Sequence, residues 1–504
     1  MSTPAMDWLA NLARRHPDAT ALVEPDAKRS FSYADLDERA SRLAEALTDD
    51  LGLDAGDRVA ILARNGATYF EVVYGCWKSD TRYVGLNWRL TPHELEHHIH
   101  DADPRVLVYD REFEDTVEAL RELDVVETIV AIDDPLGDDL AYEAVLADTS
   151  GRSVVNHDRD RGDTWGLLYT SGTTGLPKGV KQTADMVLYN YLNIGTLVDL
   201  TRDDTFLTVL PCFHTGGLNL YANPTLMVGG TVVLPRQFDP AQTLDLLEGD
   251  VSVFFAVPAI YKALIDHPTF PERDLSGVRS WGSGGARLSA GLLERYAEEG
   301  IVIRQGMGMT ETGPTLFLID EANALEKAGS IGKPSPFVEA KVVDPEADGL
   351  VPVEEGELVV RGPGITPGYW ERPEANESAF EDGWLRTGDI ARVDEDGFYY
   401  LVDRLKNMFI SGGENVYPAE IERVLLAHPA VDEAAVVAVE DDQWGEVGRA
   451  FVVPVAGEAI DEDGILEHCR ERLAGYKVPK HVEFLDEMPR TPAGNVERGR
   501  LRER

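Results

Sequence analysis

Ser171-Gly172-Thr173-Thr174-Gly175-Leu176-Pro177-Lys178-Gly179 follows the apolar run Trp165 to Tyr169 and concentrates three hydroxyls, three glycines and one lysine in nine residues. Glycines let backbone N–H groups approach phosphate oxygens closely, Ser and Thr add short donors, and Lys178 brings a mobile positive charge. A strand-like run feeding such a loop is the expected cradle for a triphosphate; the alternative is a plain surface turn. The loop is not of the GxxxxGK[ST] kind. Pro177 stands where that motif has its second glycine, and Gly179 follows the lysine in place of Ser or Thr. A different class of ATP user is indicated.

A chain of 504 residues is too long for one compact core, and two to four structural units are expected. It has no apolar stretch of the ~20 residues that span a membrane. Asp7 breaks the start where a signal peptide needs an apolar core, so a cytoplasmic protein is expected. Cys76, Cys212 and Cys469 lack ligand-like spacing and read as buried apolar residues, not as disulfides or a zinc site.

Ninety acidic against 47 basic residues leave a net charge of −43, and only 11 of the basic residues are lysine. Self-repulsion on this scale opposes compaction at low ionic strength, whereas molar salt shortens the screening length to ~3 Å. A halophilic, haloarchaeal-like cytosol is the expected setting, with an acidic mesophilic enzyme as the alternative. Nucleic acid is excluded as a partner class, because a polyanion would meet an anionic surface.

Outward from the loop, Ser32-Tyr33-Ala34-Asp35 predicts a capping box before a helix with Leu36, Ala40, Leu43, Ala44 and Leu47 on one face. Apolar runs at 58–62, 106–109, 128–132, 205–210, 231–234 and 251–257 alternate with helical stretches, which predicts α/β layering around buried strands. Between Gly332 and Arg361 the texture changes to β-like runs between turns, a smaller β subdomain. Beyond Asp403-Arg404-Leu405-Lys406 comes a remainder of about 100 residues. It reads as a helix with Ile421, Val424 and Leu425 inward, strands at 434–439 and 450–455, a helix over 465–473 and a strand near 482–485. The acidic clusters Asp394 to Gly397 and Asp461 to Gly464 read as solvated turns.

Further segments carry chemistry. Gly306-Met307-Gly308-Met309-Thr310-Glu311-Thr312 starts like a dinucleotide fingerprint but has Glu311 where the third glycine belongs. Glu311 can instead hold a hard cation such as Mg²⁺ beside phosphate oxygens. Trp384-Leu385-Arg386-Thr387-Gly388-Asp389 sets a carboxylate after a glycine turn, as ribose recognition requires. Ile410-Ser411-Gly412-Gly413-Glu414-Asn415-Val416-Tyr417-Pro418-Ala419-Glu420 runs from a glycine turn into a helix, and Pro489-Arg490-Thr491-Pro492-Ala493-Gly494-Asn495 lies near the end. Each alone also reads as a turn; their joint order and spacing carry the weight.

With these segments and Tyr33-Ala34-Asp35-Leu36 and Tyr83-Val84-Gly85-Leu86-Asn87, the chain resembles the ANL adenylate-forming superfamily over essentially its full length, and within it the acyl-CoA synthetases. The resemblance implies an α/β fold: a large multi-subdomain N-terminal domain (1–402), a hinge (403–406) and a small mobile α+β C-terminal domain (407–504). It implies a ligase that joins ATP and a carboxylic acid as acyl-adenylate, then passes the acyl group to the CoA thiol with release of AMP. Ser171, Gly172, Thr173, Thr174, Gly175 and Lys178 would hold phosphates, with Thr173 and Glu311 on Mg²⁺. Gly285, Ala286, Gly308, Met309 and Thr310 would line the nucleotide, Asp389 the ribose, and Arg404 the nucleotide after domain closure. His214, in Pro211-Cys212-Phe213-His214-Thr215-Gly216-Gly217, would gate the acid channel; a structural histidine is the alternative. Lys406 would be the hinge, Gly412 and Gly413 would line the pantetheine path, and Trp444 in Trp444-Gly445-Glu446, with Gly475-Tyr476-Lys477, would contact CoA or the domain interface.

Two positions depart from the family pattern. Met307 replaces an aromatic residue at adenine, and Asn495 replaces a lysine that meets carboxylate and α-phosphate; Arg498, three residues on, has a guanidinium long enough to reach the same oxygens. The acid reads as fatty or aryl. The alternatives are another acceptor than CoA, or a nucleotide- or acyl-CoA-binding protein impaired in the first half-reaction. A homodimer is left open.

Overall fold

The computed structural model describes residues 6–151, 159–170, 176–345, 347, 349–404, 408–455, 460–489 and 496–504. The chain divides into two compact units, one formed by 1–88, 98–169 and 179–402, the other by 403–504 together with 89–97 and 170–178.

The first unit contains two large sheets. One has seven strands in the order Leu140–Ala141, Thr128–Ala131, Val106–Tyr109, Arg58–Leu62, Arg82–Gly85, Thr164–Thr170, Lys178–Thr183. The other has nine, in the order Lys333–Pro334, Thr315–Leu318, Ile303–Gly308, Ser280–Ser283, Val253–Ala256, Thr205–Thr208, Thr231–Val233, Thr20–Glu24, Arg29–Ser32. The central pairs are parallel. Parallel strands are covered on both faces, which is why they read as continuous apolar runs without alternation. One core draws Val59, Ile61, Val106 and Val108 from the first sheet and Phe206, Val232, Val253 and Phe255 from the second. The helix Ala67–Ser79 is buried along nearly its whole length within that core. The capping box forms as expected: Asp35 N–H donates to Ser32 Oγ, and the Asp35 carboxylate accepts from Ser32 N–H.

A five-stranded antiparallel sheet forms the β subdomain, with Glu339–Val343, Glu355–Arg361 and Trp384–Val393 side by side. Its register breaks where Glu357 pairs Ile390 and Val359 pairs Arg386. Leu358 therefore faces three residues, Thr387 to Asp389, and this bulge throws the Thr-Gly-Asp turn out of the ladder.

The second unit is built on Val431–Asp441 and Gly445–Pro454, flanked by Phe409–Ser411, Glu414–Val416 and His481–Phe484. Val436, Ala450 and Val452 pack under the helices Pro418–Leu426 and Glu462–Arg470. The alternate residues Ala435, Val437, Phe451 and Val453 meet Met488 and Leu501. The two-residue period thus buries both faces of a small sheet. Asp461 is a helix N-cap, accepting from Gly464 N–H at 2.9 Å, and not a solvated turn. Asp394 to Gly397 is a turn with Glu395 and Asp396 exposed, as expected, and its Asp394 carboxylate takes Lys327 at 3.0 Å and Phe398 N–H at 2.9 Å. All three cysteines are buried free thiols. No described helix is long and apolar enough to cross a membrane.

Candidate active site

Glu311 lies in the 3₁₀ turn Thr310–Thr312 between the antiparallel strands Ile303–Gly308 and Thr315–Leu318. Glycine is obligatory at 308, because a Cβ there would sit 1.5 Å from the Pro314 carbonyl oxygen. Met309 N–H closes the turn on Thr312 Oγ1 at 2.9 Å. Glu311, 5% exposed, takes Thr366 N–H on its backbone carbonyl at 2.8 Å and the Tyr369 hydroxyl on Oε1 at 2.9 Å. A buried carboxylate oriented by the Tyr369 hydroxyl is a fitting hard donor for Mg²⁺; Thr173, its expected partner, lies outside the described residues.

Tyr369 went unnoticed in the sequence. Its backbone is held by Asn376, which accepts Tyr369 N–H at 2.6 Å and donates to its carbonyl at 3.1 Å. The same segment pairs with the strand leaving the glycine-rich loop: Val180 bridges Tyr369, Trp370 N–H donates to Gly179 O at 2.7 Å, and Lys181 N–H donates to Gly368 O at 3.2 Å. The available signal was Gly368-Tyr369 before Pro373 and Asn376, a turn followed by a helix start.

Lys178 opens that strand. His97 Nε2 lies 2.9 Å from the Pro177 carbonyl, which can only accept, so Nε2 carries the proton. Ser171, Gly172, Thr173, Thr174 and Gly175 lie outside the described residues, as do Lys406 and Asn495; Arg404 ends the strand Tyr399–Arg404.

The structure brings the nucleotide candidates Gly285, Ala286 and Gly308 to the ends of neighbouring strands, Ser280–Ser283 and Ile303–Gly308, which pair in parallel. A Cβ at Gly284 would stand 3.2 Å from Gly306 O, and Gly285 has φ +77°. Met307 packs against the core of the β subdomain that contains Leu316 and Phe317. Asp389 is buried at the bulge; Gly388, φ +75°, donates its N–H to Glu357 Oε1 at 3.1 Å, and Thr387 Oγ1 donates to Leu358 O at 2.7 Å.

His214 caps the short helix Thr215–Leu218, its Nδ1 accepting Gly216 N–H at 3.1 Å. The cap fixes ring and tautomer together, leaving the neutral proton on Nε2. Gly217 is forced, since a Cβ would lie 2.2 Å from Pro211 O, and buried Asn65 clamps the approach by bonding Leu210 O and Cys212 N–H, both at 2.9 Å. Alongside, Phe206 stacks on Tyr221 at 5.2 Å and Tyr221 lies 5.6 Å from Phe255. This aromatic wall backs Gly282, where a Cβ would meet Tyr221 Oη at 3.0 Å and Phe255 at 3.1 Å. Burial pushes the Tyr221 hydroxyl up to about 12, so it stays protonated at neutral pH.

In the second unit, Gly412 and Gly413 form the turn between Phe409–Ser411 and Glu414–Val416, with φ +58° and +85°. Gly412 N–H donates to Trp444 O at 2.9 Å, and a Cβ at 412 would lie 2.7 Å from the Trp444 ring. Glu446 holds Ile410 N–H at 3.0 Å, and the Asp441 carboxylate accepts the N–H groups of Gln443 and Trp444, which draws its pKa down. Lys480 Nζ stands 5.8 Å from the Trp444 ring centre. Lys477 is buried against Glu420 at 2.7 Å. Arg498 pairs with Glu422 through contacts of 2.6 and 2.8 Å.

The chain matches the AMP-binding enzyme model over residues 9–370 and the AMP-binding enzyme C-terminal domain model over 420–495. It is 41% identical over 498 residues to a feruloyl-CoA synthase of an Amycolatopsis species, covering 99% of this chain and 98% of that one. Among solved structures it is similar to a double mutant of the o-succinylbenzoate CoA synthetase of Bacillus subtilis bound with a product analogue: TM-score 0.90, 33% identity, 100% of this chain and 99% of the other covered. It is also similar to an amide bond synthetase of Marinactinospora thermotolerans, with TM-score 0.89, 29% identity and 99% of each chain covered. By family model, full-length identity and fold, the chain belongs to the AMP-binding enzymes of the adenylate-forming ANL superfamily, in their AMP-forming acyl-CoA ligase branch.

Proposed function

We propose that the protein activates an aromatic carboxylic acid as acyl-adenylate and transfers the acyl group to CoA. The observation that carries the acid class is the buried aromatic set Phe206, Tyr221 and Phe255 packed behind Gly282 on the strand Ser280–Ser283, which leads to the nucleotide candidates Gly285 and Ala286. Two similar proteins named for aromatic acids, feruloyl and o-succinylbenzoate, support the same class.

A carboxylate resists attack because its leaving group would be oxide; joining it to AMP makes that oxygen a good leaving group. The first step is then mainly positioning and charge neutralisation at phosphorus. Lys178 would neutralise phosphate oxygens, Asp389 would take the ribose hydroxyls, and the Tyr369-oriented Glu311 would hold Mg²⁺, whose charge offsets that of the triphosphate. His214, with its Nε2–H fixed by the cap, would face the acid. In the second step residues 403–406 would act as hinge, Arg404 would contact the nucleotide, and the Gly412–Trp444 edge with Lys480 would receive CoA. The glycines at 412 and 413 serve the turn and the Trp444 contact first, and a thiol path would run along the same bare backbone.

A second acceptor is favoured by one observation, the likeness to an amide bond synthetase. Supplying the purified chain with Mg-ATP, CoA, simple amines and a panel of aryl, medium-chain and long-chain acids tests both readings. Aryl-CoA with equimolar AMP supports the proposal; amide product without thioester supports the other.

A further inference from the structure

Gln182 is fully buried four residues beyond Lys178, on the strand Lys178–Thr183. Its Nε2 donates to the carbonyl of Thr310, the residue before Glu311, at 3.2 Å. Its Oε1 accepts from Asn219 Nδ2, also at 3.2 Å. Asn219 lies just past the helix that His214 caps, and its Nδ2 stands 3.4 Å from Thr215 Oγ1. Asn190 strengthens the same junction, donating to Asn219 O at 2.6 Å and accepting Thr315 N–H at 3.1 Å. At the far end Asn223 donates to Asn219 Oδ1, and Tyr74 donates to Asn223 Oδ1, both at 2.9 Å. One carboxamide thus cross-links three segments: the strand leaving the glycine-rich loop, the Glu311 turn and the His214 helix.

Resting on the function proposed above, we propose that Gln182 is a positioning residue for adenylate formation, holding the Glu311 turn and the His214 helix in register with the strand that carries Lys178. A neutral amide suits the task, because it donates on one side and accepts on the other and brings no charge into a buried place. An apolar side chain here would orphan both the Thr310 carbonyl and one Asn219 donor. Leaving a buried polar group unpaired is worth roughly five- to 150-fold in an equilibrium or a rate. The register matters only while acid, triphosphate and Mg²⁺ must meet at one phosphorus. Thioester formation from a finished adenylate does not need it.

The test compares wild type, Gln182→Met, Gln182→Glu and Tyr74→Phe in pyrophosphate exchange, in thioester formation from supplied acyl-AMP and CoA, and in thermal melts. Gln182→Met fills the volume without donor or acceptor. Gln182→Glu keeps the length and the bond from Asn219, and it serves if the first variant does not fold. Both should slow adenylate formation about tenfold or more and leave thioester formation within about twofold on the same folded protein. Tyr74→Phe breaks the network at its remote end; it should lower the melting temperature and leave the ratio of the two rates unchanged. Equal loss in both half-reactions, or no loss in either, overturns the positioning role while the ligase reading stands. A wild type that makes no adenylate from any acid overturns both.

Discussion

Replacing Tyr369 by Phe removes the hydroxyl that donates the 2.9 Å hydrogen bond to Glu311 Oε1. The ring keeps its volume, and the backbone stays pinned by the two Asn376 bonds. A hydrogen bond to a charged acceptor is worth about 1.5–3 kcal/mol, and Glu311 at 5% exposure has little water to replace it. If the oriented carboxylate serves only the adenylation transition state, the whole term appears in that barrier, roughly 10- to 150-fold in rate. The assay is pyrophosphate exchange over a Mg²⁺ titration, with thioester formation from supplied acyl-AMP as internal reference. Adenylate formation should fall within that range, half-saturation should shift to higher Mg²⁺, and the reference rate should not move. Exchange within twofold of wild type at every Mg²⁺ concentration would refute the claim that Tyr369 orients a functional carboxylate.

Four further outcomes are expected. Gly412→Ala, whose Cβ would press on Trp444 at 2.7 Å, should slow thioester formation and spare adenylate formation, read by accumulation of acyl-AMP. Asn495→Lys should accelerate adenylate formation roughly 10- to 150-fold by restoring a charged donor; Arg498→Ala, which frees Glu422, should lower the melting temperature and leave that rate alone. At −43 net charge, melting temperature and activity should be higher in molar KCl than at low salt; a midpoint unchanged or lower would remove the halophile reading. With repulsion screened in molar KCl, stability should fall below pH 4. Burial raises the Asp204 pKa, but Arg279, Ser252 and Thr201 outweigh it and hold it below the ordinary 3.8, so the contribution is complete above that value and lost as pH falls through the folded one. Asp204→Asn should flatten the acid limb of a melting-temperature profile.

Local signals carried much of the fold. Ser32 and Asp35 announce a capping box because both halves of it lie within four residues. The runs at 58–62 and 106–109 coincide with strands because burial on both faces leaves them, beyond Arg58, apolar. Asp461 shows the limit of composition: an acidic cluster with glycine fits a turn and a helix N-terminus equally well until Ile465 and Cys469 are seen to face a core. Glu311 and Asp389 could be named as candidates from the sequence because each sits in one short stretch with its glycine turn. Tyr369 and Gln182 escaped because their partners lie 58 and 128 residues away in the chain. The pairing of the Lys178–Thr183 strand with the 366–370 segment sets both beside the Glu311 turn. The Arg498 pairing with Glu422 was hidden for the same reason, as Glu422 lies 76 residues away.

The most direct measurement is product analysis of the purified chain in molar KCl with Mg-ATP, CoA and paired aryl and long-chain acids, quantifying AMP, acyl-adenylate and thioester by mass. The account predicts acid-dependent AMP release matched one to one by acyl-CoA, with aryl acids turned over faster than long-chain ones. AMP without thioester, or no acid-dependent product at all, would contradict it.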